Sequence, residues 1–97
     1  MAADFAGEAL PAGVSAYSRT PTFTARTIPE NLRSAHRTKA GTWVKIVVLE
    51  GRLLYRILEP ETREIELSPG RLGVAAPQAP HEVEARGDVR FYVEFCR

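Results

Sequence analysis

The chain is predicted to be all-β, a small single-domain antiparallel barrel or sandwich, on three observations. Apolar runs are short, alternate in polarity and are rich in β-branched and aromatic residues; turn residues separate them at close spacing; and no stretch carries a convincing helical period. All seven prolines fall between the runs rather than inside them, as expected because proline cannot donate to a central ladder. With 97 residues, 44% hydrophobic and 26% charged, the chain suits one soluble globular unit.

Taken in order, residues 1–9 are rich in alanine without a period and are expected to be a flexible arm, with the domain occupying 10–97. Pro21 to Thr27 has strand composition, and Ile28 to Asn31 reads as a turn. If Leu32 to Thr38 is extended, Leu32, Ser34, His36 and Thr38 share one face. Thr42 to Leu58 reads as a hairpin about Gly51, with both arms rich in β-branched, aromatic and aliphatic residues. Glu64 to Leu67 alternates charged and apolar residues, which puts Glu64 and Glu66 on a solvated face. After Pro69-Gly70 come Gly73 to Ala76, the Pro77 to Pro80 bend, His81 to Ala85, and a last strand from Val89 to Cys96. The last two are expected to form a hairpin about Arg86 to Val89.

Thirteen basic against twelve acidic residues leave a net charge of +1, too weak a field to make nucleic acid or an anionic membrane the expected partner. No run approaches a membrane span and no leader pattern is visible. A lone Cys96 cannot form an internal disulfide, so the expected setting is a reducing cytoplasm.

The stretch from His36 through Lys39, Gly41, Trp43 and Lys45 to Gly51, followed by Pro69-Gly70, Pro77, Pro80-His81 and Phe91 to Phe95, resembles the TehB/YeaR-like domain family. The resemblance covers nearly the whole domain. It implies a cupin-like fold, a β-barrel or jelly roll with inward-facing ligands, and a link to tellurite resistance. Within that family the domain occurs alone or joined to a methyltransferase. The chain is too short to hold both and has no Gly-rich dinucleotide-like turn, so only the cupin part is implied.

The two histidines, His36 and His81, are the only ones present. The cupin pattern usually adds a second histidine and a glutamate in its first half, yet Val44 stands at the glutamate position and nothing near Thr38 to Ala40 replaces the histidine. Glu94, a carboxylate in an apolar stretch, is the candidate third ligand, since a hairpin with 81 opposite 94 would bring it beside His81. An inward Glu94 also turns Tyr92 and Arg90 inward, which demands a bulge or two buried faces. Two histidines and a carboxylate would suit a divalent metal, Fe(II) or Zn(II), with open positions. The structural alternative is that each histidine is a hydrogen-bonded core residue.

Lys39 and Lys45 could orient an anionic ligand at the barrel mouth, or protect edge strands; Trp43 and Tyr55 could wall a pocket, or pack as ordinary strand aromatics. The functional expectation is a small cytoplasmic metal-binding cupin that takes a small-molecule or oxyanion ligand, in tellurite or metal stress. Its alternatives are a metal-dependent oxygenase or isomerase and a non-catalytic sensing module. Edge strands make a homodimer plausible in each case.

Overall fold

The computed structural model describes residues 4–7, 10–34 and 37–97. Its strands are β1 (Asp4–Gly7), β2 (Ala16–Arg19), β3 (Phe23–Thr24), β4 (Trp43–Ile57), β5 (Arg63–Leu67), β6 (Arg71–Ala75) and β7 (His81–Cys96), with one 3-10 turn at Glu30–Leu32. They form one sheet in the order β1-β6-β4-β7-β2, with β3 added to β7 and β5 to β4. Every pairing is antiparallel except that of β1 with β6. The chain is therefore all-β, but the path is open: β1 and β2 end the sheet without pairing to each other, so the closed barrel expected from the sequence is not formed among the described residues. Four residues of the expected arm, Asp4–Gly7, make up β1.

The two expected hairpins are instead two long strands that pair with each other from end to end, Trp43 opposite Cys96 and Ile57 opposite His81. Both bend at the same level. On β4 the register slips between Val48 and Glu50, so Leu49 is an extra residue that projects outward; on β7 the extra residues fall between Ala85 and Val89. The slip changes which residues of β4 face inward, from Val44, Ile46 and Val48 before the bend to Leu53 and Tyr55 after it. A glycine inside a strand marks such a bulge or a close backbone approach. Gly51 does both, with φ +79° and the Asp88 carbonyl oxygen 2.1 Å from where a Cβ would stand.

Bending folds the sheet onto a single core. Val44, Ile46, Phe91 and Val93 from one half pack in one cluster with Leu53, Tyr55, Leu67 and Val83 from the other. Close approach of the halves needs Gly73, whose absent Cβ would lie 2.8 Å from Leu67 Cδ1 and 3.3 Å from Tyr55 Cδ2. The Tyr55 hydroxyl crosses the gap to donate to the Val74 carbonyl at 3.1 Å. The gap between the halves beside Phe91, lined by residues such as Leu32, Ile46 and His81, holds about 10 Å³, less than a comfortable volume for one water.

On the outer face of β4, β5 and β7, Arg56 binds Glu64 at 2.9 Å, Glu82, and Glu84 at 3.5 Å, while Arg52 binds Glu66 at 3.2 Å. Glu64 and Glu66 are exposed there, as their alternation predicts.

Candidate functional site

Hydrogen bonds tie the loop before β4 to the segments after β4 and before β7. Thr38, buried in the loop before β4, is the clasp: its hydroxyl donates to the Thr42 carbonyl at 2.9 Å and accepts from the Gln78 N–H at 3.4 Å. Arg37 donates to the Gln78 carbonyl at 3.2 Å and to Glu59 at 3.1 Å, tying the same loop to the segments after β4 and before β7. Gln78 adopts a positive φ of 63° at this bend. These contacts define a mouth.

At the mouth lies a depression of about 350 Å³, bounded by Tyr17, Arg37, Thr38, Lys39, Thr42 and Phe95. Among the described residues no carboxylate pairs with Lys39, whereas Arg37 is already held by Glu59. An ammonium offers a compact charge with three donors, so Lys39 is the group best able to receive an added anion.

His81 lies beside the mouth, only 2% exposed, and faces the core. Its Nδ1 is 2.9 Å from the Ala79 carbonyl, a hydrogen bond that requires the proton on Nδ1, and its ring meets Tyr55 edge-on at 5.9 Å. Glu94 points to the opposite face of β7. There it lies across from Lys45 on β4 and Arg19 on β2, with ion pairs of 3.4 Å and 3.1 Å. The charge that burial demands is thus supplied by two side-chain cations. Arg19 also stacks on Tyr92, 4.2 Å from the ring centre.

Of the expected site residues, His36 lies outside the described residues. His81 and Glu94 are not brought together, since one turns into the core and the other away from it, at opposite ends of β7. Lys39 is at the mouth, Tyr55 is in the core, and Trp43 and Lys45 are on the outward face of β4. Arg37, Thr38, Thr42 and Tyr17 were not singled out as site residues. The Arg37-Thr38-Lys39 succession was the available signal, a hydroxyl between two cations.

Cys96 shares the outward face with Glu94. Burial pushes its thiol above the ordinary value of 9.0, the Glu94 charge adds to this, and Lys45 opposes it. A thiol whose folded pKa is raised favours the fold fully below that ordinary value and loses the contribution as pH rises through the folded value. At pH 8, Cys96 is expected to react with a disulfide reagent at least roughly a hundredfold more slowly in the native protein than in urea. Similar rates in the two states would refute its burial.

The TehB-like domain model matches residues 18–93. A probable S-adenosyl-L-methionine-dependent methyltransferase TehB of Haemophilus influenzae strain Rd is 34% identical over 76 residues, which are 74% of this chain and 27% of that protein. Its counterpart in strain 10810 is 33% identical over the same shares. The chain therefore spans about a quarter of the length of these curated relatives. The crystal structure of TehB from Haemophilus influenzae superposes with a TM-score of 0.79 at 31% identity, covering 86% of this chain and 31% of that one. A crystal structure of a protein from E. coli strain K12 has a TM-score of 0.83, with 94% of this chain and 97% of that one covered; at 22% identity it shows the fold alone.

The expected divalent zinc or iron is corrected by these findings. No three His, Cys, Asp or Glu residues among those described are grouped to hold a metal, and Glu94 is already neutralised by Lys45 and Arg19. The cofactor in the relatives' name is S-adenosyl-L-methionine, an organic methyl donor. No helix among the described residues is long and apolar enough to cross a membrane.

Proposed function

Because the chain belongs to the TehB-like domain family, we propose that it is a ligand-binding domain that takes a small oxyanion at its mouth, in the service of S-adenosyl-L-methionine-dependent methyl transfer. The observation that carries this reading is Lys39, without a carboxylate partner among the described residues, beside the clasped Thr38 over a depression of about 350 Å³. Arg37 is spent on Glu59 and Gln78, so it fixes the rim while Lys39 receives the anion. The gap beside Phe91 and His81 is nearly filled, which favours the mouth over that part of the interior. The methyl-transfer setting comes from the relatives' name. A cytoplasmic location and pairing of two copies through the outer edge of β5, which among the described residues bonds only to β4, belong to the same proposal.

The test is an NMR titration of the nitrogen-15-labelled chain with tellurite, selenite, phosphate and S-adenosyl-L-methionine, each at millimolar concentration. Tellurite or selenite is expected to shift the Thr38, Lys39 and Thr42 amides saturably, and Lys39→Ala is expected to weaken binding by roughly tenfold, the worth of one charge-assisted contact. Absence of any saturable oxyanion shift would overturn the reading. Binding of S-adenosyl-L-methionine alone would replace it with a cofactor-binding one.

A further inference from the structure

A second cavity, separate from the mouth depression, opens at the seam where β5 and β6 part. The two strands are joined by a tight turn, closed by the Arg71 N–H donating to the Ser68 carbonyl at 2.9 Å, and both flank the same edge of β4, at 53–57 and 44–46. Near the turn they touch through Leu67 and Gly73. Further along they diverge, leaving about 310 Å³ between them, at the lower end of the range for small-molecule sites. Ile57, Ala75, Ala76 and Ala79 give it an apolar wall, and Glu61 and Arg63 stand on its rim.

Two features specify what could fill it. On the neighbouring ladder the charges are used: Arg56 is bound to Glu64 and Arg52 to Glu66. Arg63 and Glu61 carry no ion pair among the described residues, and Glu59, the other carboxylate at this cavity, is held by Arg37. One uncommitted cation and one uncommitted anion thus overlook an apolar wall. A simple carboxylate would meet Glu61, and a simple amine would meet Arg63. A zwitterion satisfies both, with its apolar part against the alanines.

We propose that the seam cavity binds a free α-amino acid with an apolar side chain. The α-carboxylate accepts from the Arg63 guanidinium, whose planar fork matches it. The α-ammonium donates to Glu61, and the side chain covers Ile57, Ala75 and Ala76. None of Thr38, Lys39 or Thr42 takes part, so this site and the oxyanion site can fail independently.

The experiment is an NMR titration of the whole chain with L-leucine, beside 4-methylpentanoate, which lacks the ammonium, and 3-methylbutylamine, which lacks the carboxylate. Leucine is expected to shift the Ile57, Ala75 and Ala76 amides saturably. Each control, and each of Arg63→Gln and Glu61→Gln, is expected to bind at least roughly tenfold more weakly. Both side chains are exposed, so these variants should keep the native spectrum, which is the check on folding. No saturable shift with leucine, undiminished binding in both variants, or equal affinity for 4-methylpentanoate would each overturn the proposal.

Discussion

Gly51→Ala is expected to destabilise the fold by about 3–5 kcal/mol, a large part of the roughly 5–15 kcal/mol available to a small domain. Two effects add. A non-glycine residue held at φ +79° carries backbone strain of about 1–3 kcal/mol. The added methyl would also stand 2.1 Å from the Asp88 carbonyl oxygen and 3.0 Å from the Val89 Cα, both of them backbone atoms. No side-chain rotation relieves that contact; the bend of β7 must move away from the bend of β4. The control is Gly87→Ala, where φ is +77° but no atom lies within 4 Å of the new Cβ. It should suffer the strain alone. Urea unfolding of the two variants measures the difference, and a Gly51→Ala loss no greater than that of Gly87→Ala would refute the close-approach argument.

The same glycine marks what the sequence could and could not reveal. Strand, glycine, strand is the pattern of a hairpin and equally of one strand with a bulge. The choice is made by a partner far along the chain, since β7 bends where β4 does and allows pairing to continue past Gly51. Local features were legible: the all-β class, the proline boundaries and the solvated Glu64 and Glu66 each follow from a residue and its immediate neighbours. Glu94 was legible in part. Period two puts it opposite in facing to Phe91 and Val93, and it does face away from the core. Its burial depends on Lys45 and Arg19, which come from two other strands. An apolar stretch interrupted by one carboxylate reads the same whether a metal or two cations neutralise it. The mouth was least legible, because Arg37, Thr38 and Gln78 meet only when the folded sheet brings its ends together.

Phe91→Ala tests the other half of the functional argument, that the gap between the sheet halves beside Phe91 is closed to ligands because it is filled. Phe91 is 0% exposed, lies opposite Val48 of β4 and meets Phe23 edge-on with ring centres 5.6 Å apart. Removing the ring is expected to cost about 3–5 kcal/mol, combining lost transfer energy with the cavity left behind. Part of that loss comes from β3, which has only two residues and pairs through Phe23 and Thr24 to Phe91 and Arg90. The new void would extend the present gap of about 10 Å³ beside Leu32, Ile46 and Val83. A dry apolar cavity of that kind accepts a small apolar molecule, and binding to the native state alone raises stability. Benzene should therefore raise the melting temperature of Phe91→Ala and leave that of the parent chain unchanged. A loss below about 1 kcal/mol would mean that the halves close over the gap. A benzene response in the parent would mean that the interior already opens, and would return it to consideration as a binding site. With neither result, the gap beside Phe91 is closed to ligands, in keeping with the sites proposed at the mouth beside Lys39 and at the seam beside Arg63.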